Sequence, residues 1–128
     1  MLGTSVPRLA AVTVSLALAG LASQAKAADP AAGKSAFNSA CSICHAVQPD
    51  KNMIGPSLFG VVGRKTGSVP GFHYSPANQS ANLTWDAATL DKYLQSPRTA
   101  IPGTLMTYGG MKDDTKRADL IAYLATLK

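Results

Sequence analysis

The chain contains only two cysteines, and they stand directly before one of its two histidines as Cys41-Ser42-Ile43-Cys44-His45. C-x-x-C-H is the attachment pattern of a c-type haem: two thiols add to the vinyl groups as thioethers, and the adjacent histidine ligates the iron. A fold built on it must hold this turn against a large apolar ring. Three other chemistries use such residues, and each fits less well. A dithiol oxidoreductase places C-x-x-C beside a βαβ pattern, and no long β-branched runs are present to build a parallel sheet. A structural zinc site needs four ligands, but the whole Cys and His supply is Cys41, Cys44, His45 and His73, two of them adjacent. A plain Cys41–Cys44 disulfide leaves His45 unexplained and closes too small a loop to stabilise much.

The N-terminus reads as a processing signal. Arg8 is followed by the apolar run Leu9 to Ala22, and Ala25-Lys26-Ala27 is an A-x-A cleavage site. The apolar run is shorter than the roughly 20 residues of a transmembrane helix, so residues 1–27 are expected to be removed and the protein to reach the periplasm. An uncleaved membrane anchor is the alternative. Cleavage leaves 101 of the 128 residues, a single small domain over 28–128. The signal carries Arg8 and Lys26 and no acid, so the formal charge of +5 falls to +3. That balance favours redox protein partners with acidic docking surfaces over nucleic acid, which calls for a denser basic patch.

Asp29-Pro30 opens the domain as an N-cap and a first-turn proline. The helix that follows sets Ala32, Ala36, Phe37 and Ala40 in a stripe leading into Cys41, with Gly33 on the Phe37 face where another helix could cross closely. From Ala46 to Leu83 helical periodicity gives way to proline and glycine, as expected of a long loop wrapped about something. Leu58, Phe59, Val61 and Val62 are its apolar contacts, and His73 is read as a surface residue. Thr84 is expected to cap a second helix carrying Trp85, Ala88, Tyr93 and Leu94, ended by Pro97. A last helix begins at Asp113 or Asp114 and offers Leu120, Ile121, Tyr123, Leu124 and Leu127. The expected class is all-α: three main helices, long loops and little or no sheet.

A haem iron on His45 needs a sixth ligand or an open position, and that choice separates electron transfer from catalysis or gas binding. Met53, Met106, Met111, His73 and the lysines are the candidates, and spacing favours Met106 over Met111 only modestly.

Taken together, the ordered residues resemble the class I cytochromes c, the mitochondrial type and its short bacterial relatives. The likeness is carried by Gly33 and Phe37, CSICH, Gly55-Pro56-Ser57-Leu58-Phe59-Gly60, Gly63-Arg64-Lys65-Thr66-Gly67, Pro70-Gly71-Phe72, Asn78, Thr84-Trp85, Tyr93-Leu94, the IPGTLM run at 101–106 and Asp119-Leu120-Ile121-Ala122-Tyr123-Leu124. The resemblance implies a small cytochrome c fold around one haem c, held through two thioethers to Cys41 and Cys44. It makes His45 and Met106 the axial ligands and Pro56 the carbonyl that orients His45. It assigns Arg64, Tyr74 and Trp85 to a propionate, and Asn78, Tyr93 and Thr104 to the polar network near the methionine.

The implied function is a monomeric periplasmic carrier of single electrons with no small-molecule substrate. It would dock transiently with membrane complexes, taking electrons from a quinol-oxidising cytochrome bc complex or a periplasmic dehydrogenase. A terminal oxidase or photosynthetic reaction centre would receive them. The alternative is a c-haem enzyme or gas-binding protein with an exchangeable sixth position. Some positions depart from the family pattern. Arg98, Thr99 and Leu105 stand where mitochondrial members carry lysines, and Asp113 and Asp114 follow Lys112. Tyr108 replaces a phenylalanine, and one residue is missing between His45 and Gly55. A less basic docking face is expected.

Overall fold

The computed structural model describes Gly3 and residues 25–128. The expected signal peptide thus lies almost wholly outside the described residues; of it, Gly3, Ala25, Lys26 and Ala27 are seen, all exposed. Among the described residues no helix is long and apolar enough to cross a membrane.

Helix α1 spans Pro30–Ala40. Its start follows from local chemistry: Asp29 is extended, its carboxylate accepts from the Ala31 amide at 2.9 Å, and Pro30 occupies the first turn, where a missing N–H costs nothing. The buried face is Gly33 and Phe37, with Ala36 and Ala40 partly covered. Ala32, expected in that stripe, is exposed, because the face is centred on the glycine.

Four further helical segments follow. They are α2 Pro76–Ser80, α3 Ala87–Gln95, α4 Pro97–Ala100 and α5 Asp114–Leu124. The long α1 and α5 cross at Gly33. A Cβ added there would lie 1.9 Å from the Asp119 carbonyl oxygen and 2.8 Å from the Tyr123 Cβ, so only glycine admits the contact. The crossing is completed by Phe37 against Tyr123, with ring centroids 5.7 Å apart, and by the Asp29 amide donating to Asp119 Oδ1 at 2.7 Å. Asp113 caps α5 through the Lys116 amide, as expected of an acid at the positive helix end.

Two expectations are corrected. Thr84 does not cap α3: Asp86 does, accepting from the Thr89 amide at 2.8 Å, and the helix starts at Ala87. Trp85 therefore precedes the helix, with its amide on the Arg64 carbonyl and its own carbonyl receiving the Gly63 amide. Ala88 faces solvent, and Leu90, Tyr93 and Leu94 form the buried face instead. The stretch from Ala46 to Leu83 is not wholly irregular either, since Ser75 caps α2 through the Asn78 amide and Pro76 takes the first turn.

That stretch is pinned at intervals. The Leu58 amide reaches the Ala46 carbonyl at 2.9 Å, the Thr66 amide reaches Leu83 at 2.9 Å, and Gly60 reaches Leu127 near the C-terminus. One isolated antiparallel bridge, Lys65 with Thr84, is the strand-like pairing among the described residues. The core gathers Phe37, Val61, Trp85, Leu90, Leu94, Ile101, Leu120 and Leu124. It confirms the all-α class and borders a cavity lined from α1, α3, α5 and the loops.

Arg117, which the sequence reading passed over, is buried in α5 and ties three elements together. Its Nε donates to Asp91 of α3 at 2.6 Å, one Nη to the Met111 carbonyl at 2.9 Å and the other to Asp114 at 2.8 Å. The hydrogen bonds it donates to the two carboxylates push its pKa further up.

Candidate functional site

The end of α1 becomes the site without an intervening loop. Cys41 caps the helix with its amide on the Phe37 carbonyl, and the amides of Cys44 and His45 both turn back to the Cys41 carbonyl, at 3.1 and 3.0 Å. Cys41, Cys44 and His45 thereby face one side of a single turn, and all three line a cavity of about 450 Å³.

His45 is held by the segment that follows. The Gly55 amide donates to the Cys44 carbonyl at 2.8 Å, which sets Pro56 beside the imidazole. His45 Nδ1 then lies 2.8 Å from the Pro56 carbonyl oxygen. A carbonyl can only accept, so Nδ1 carries the proton and Nε2 keeps the lone pair that a metal requires. Burial lowers the His45 pKa, with the Pro56 hydrogen bond opposing and nearby Arg64 assisting, so the ring is kept neutral. Gly55 is obligatory here, because a Cβ would come within 2.2 Å of the imidazole Cε1.

The cavity wall also separates the methionines that spacing left undecided. Met106 lines it, whereas Met53 and Met111 do not. Met111 is fixed elsewhere, its amide on the Leu94 carbonyl at 2.7 Å and its carbonyl under Arg117. Behind Met106, its amide lies 3.3 Å from Thr104 Oγ1, and that hydroxyl is 2.9 Å from the Tyr93 phenol. Asn78 is buried on the same wall, its Oδ1 accepting from Ser75. Burial raises the Tyr93 pKa, with the hydrogen bond to Thr104 opposing. The three residues assigned to one polar network are thus brought together.

Arg64, Tyr74 and Trp85 share the cavity lining as well. Trp85 stacks at a tilt on Tyr93 with centroids 4.8 Å apart, and the Tyr74 hydroxyl accepts from the Val69 amide at 3.1 Å. Arg64 donates from its two terminal nitrogens to the carbonyls of Phe59 and Ser57, both at 3.0 Å. Its Nε is buried with no partner. A partly buried guanidinium whose buried Nε is a spare donor suits an anionic substituent on the occupant. His73 is exposed at the mouth, as a surface residue should be.

The donor set fits a haem and not its rivals. Cys41 and Cys44 form no disulfide with each other. Burial, and then the neighbouring Cys44, push the Cys41 thiol up to about 11, the reverse of the low pKa that dithiol redox catalysis exploits. Among the described residues no group of three or more His, Cys, Asp or Glu gathers as a metal site, so zinc lacks a ligand cage. An apolar cavity in the size range of cofactor pockets, thiols and a tautomer-fixed imidazole on one turn, and a thioether on the same wall match an iron porphyrin.

Comparison with known proteins agrees along the whole domain. The family model described as Cytochrome c matches residues 30–128. Cytochrome c2 of Rhodomicrobium vannielii is 50% identical over 114 residues, covering 88% of this chain and 90% of that protein. Cytochrome c2 of Rhodopila globiformis is 48% identical over 100 residues, 78% of this chain and 94% of its own. The solved structure of cytochrome cH from Methylobacterium extorquens superposes with a TM-score of 0.72 at 44% identity, covering 77% of this chain and 98% of that one. The chain therefore belongs to the cytochrome c family, as an electron-transfer protein and not an enzyme.

Proposed function

We propose that the protein is a periplasmic carrier of single electrons with one haem c bound through Cys41 and Cys44, closed on the iron by His45 and Met106. The observation that carries this reading is the selection of Met106, alone of Met53, Met106 and Met111, for the wall that His45 shares. When bound, the haem supplies a one-electron ferric/ferrous couple, and methionine ligation sets its potential high. Pro56 orients the imidazole and strengthens it as a ligand. Thr104 and Tyr93 hold the Met106 backbone, limiting exchange of the sixth ligand. Arg64, Tyr74 and Trp85 would hold a propionate, with the Arg64 guanidinium offsetting its charge.

The signal-like N-terminus supports export and cleavage after Ala27, leaving a monomeric domain over 28–128. The residual positive charge supports weak steering toward acidic surfaces of redox partners. Partners on this reading are a quinol-oxidising cytochrome bc complex or periplasmic dehydrogenase as donor, and a terminal oxidase or photosynthetic reaction centre as acceptor.

Carbon monoxide tests the closed site. The reduced holoprotein at neutral pH is expected to show no change in its visible spectrum under carbon monoxide, and Met106→Ala is expected to bind it readily. Ready binding by the unaltered protein would replace the carrier reading with a gas-binding or catalytic one.

A further inference from the structure

The segment that presents Met106 is held unevenly along its length. Upstream it is tied at Thr104, whose amide donates to the Ile101 carbonyl at 3.0 Å and whose hydroxyl meets the Met106 amide. Among the described residues, Thr107, Tyr108 and Gly109 then make no pairing with other main-chain groups. The chain is next fixed at Gly110 to Lys112. Gly110 has a φ of 101° and runs so close to the end of α3 that an added Cβ would stand 2.1 Å from the Gln95 carbonyl oxygen. The Met111 amide donates to the Leu94 carbonyl and the Lys112 ammonium to that of Gln95. The Met111 carbonyl, in turn, accepts from Arg117.

A guanidinium within the apolar stripe of α5 is costly to desolvate unless it is paired. Arg117 is paired twice, with Asp91 of α3 and with Asp114 one turn earlier on its own helix. Its side chain is 5% exposed, against 47% for Asp91 and 85% for Asp114, so the carboxylates form the wet end of the cluster. Two pairs fix the plane of the guanidinium, and with it the direction of the remaining nitrogen, the one that meets Met111. Buried ion pairs add little net stability over apolar replacements, and their best-attested use is to fix register.

Register is what this loop requires. Met106 and Met111 stand five positions apart and both pack partly buried against the core, yet of the two Met106 alone lines the cavity. Resting on the reading of Met106 as the sixth ligand, we infer that Arg117 is the positioning residue for that ligand: braced by Asp91 and Asp114, it clamps the Met111 main chain so that the unpaired stretch 107–109 cannot slide and Met106 stays at the cavity. Arg117 is outside the cavity lining and acts only through the Met111 carbonyl.

The test is ligation in the holoprotein, read apart from stability. Ferric haem iron bound by a thioether gives a weak red charge-transfer band, and imidazole competes with the methionine for that position. In Arg117→Leu the band is expected to fade and the apparent Kd for imidazole to fall about tenfold or more, the factor expected for losing one hydrogen bond from a charged donor. Deuterium exchange of the Met111 amide should quicken by a similar factor. Asp91→Ala should act in the same direction to a smaller degree, because Asp114 still holds one nitrogen, and it decides the matter if Arg117→Leu yields no folded holoprotein. Gly33→Ala, which strains the α1 and α5 crossing instead, is expected to lower Tm and to leave band and imidazole affinity unchanged.

A parent protein with the band, together with unchanged band, imidazole affinity and amide exchange in Arg117→Leu and Asp91→Ala, would overturn this inference alone. An equal change in Gly33→Ala would also overturn it, since the effect would then be one of general stability. A parent that lacks the band fails the Met106 reading and this inference with it. A band that survives in Met106→Ala fails both as well, because Met111 or Met53 then reaches the iron.

Discussion

The α1 and α5 crossing and the wall around the cavity are stabilised in different ways. At the crossing, Gly33 lets backbone meet backbone, and Phe37, Tyr123, Leu120 and Leu124 fill the space with the chain's own atoms. Around the cavity, loops hold their shape through hydrogen bonds to carbonyls, such as His45 on Pro56 and Arg64 on Ser57 and Phe59. There the apolar faces of Val61, Leu90 and Leu94 look into about 450 Å³ that no side chain fills. One half of the molecule is complete as protein, and the other is completed by its cofactor.

Removing the occupant should break this contrast most severely. The double variant Cys41→Ser, Cys44→Ser, which cannot form thioethers, is expected to lose cooperative unfolding over the loop half. A large cavity costs roughly 24 cal/mol per Å³ where the walls do not collapse, which for a cavity of this size is comparable with the whole stability of a small domain. Thermal denaturation followed by near-ultraviolet circular dichroism reports it. A sharp transition near that of the holoprotein would show that the loops stand unaided.

Gly33→Ala tests the completed half. The new Cβ meets Asp119 backbone, which cannot rotate away as a side chain could, so α1 and α5 must separate. The expected loss is about 3 kcal/mol, the upper part of the range for overpacking. In a domain of this size that is a fall of about 15 °C in Tm. A change of only a degree or two would mean that the helices slide past one another freely.

Tyr93→Phe is the mildest. It removes the phenol from Thr104, at a cost of about 1 kcal/mol for one hydrogen bond. Its pH dependence carries the sharper information. Burial raises the phenol pKa above its ordinary 10.0 in the folded protein, so the native state holds the proton longer than the unfolded chain. That contribution is complete below pH 10 and is lost as pH rises through the folded value. The variant should therefore lose stability less steeply above about pH 10 than the parent does, in denaturant titrations at successive pH values. Identical slopes would place the alkaline loss elsewhere.

The sequence made the helical half legible because its signals are local. Asp29-Pro30, the Phe37 face and Asp113 each act within one turn. The same grammar stood unread at Ser75-Pro76 and Ser96-Pro97, where a serine before a proline opens α2 and α4. Thr84 was a plausible cap, but Asp86 accepts the Thr89 amide while Thr84 is drawn into a bridge with Lys65. Spacing alone favours Met106 over Met111 only modestly, since both follow glycine-containing turns, and the family resemblance is what singles out Met106. What spacing cannot show is that Arg117 and Leu94 fix the Met111 backbone to the scaffold from six and seventeen positions away. Arg117 was itself illegible, because a charge inside an apolar stripe reads as a solvated position unless its partners Asp91 and Asp114 are known to converge on it.

The groove at Gly33 also governs the order in which the protein can be made. Its filling atoms belong to Asp119 and Tyr123, and the Asp29 amide is satisfied by a carboxylate 90 positions later. A nascent chain lacking α5 has nothing to seat against its first helix, and Leu120 and Leu124, part of the cavity wall, are still missing. Closure thus waits for the C-terminal helix, and until α5 docks the Cys41 to His45 turn lacks part of its cover.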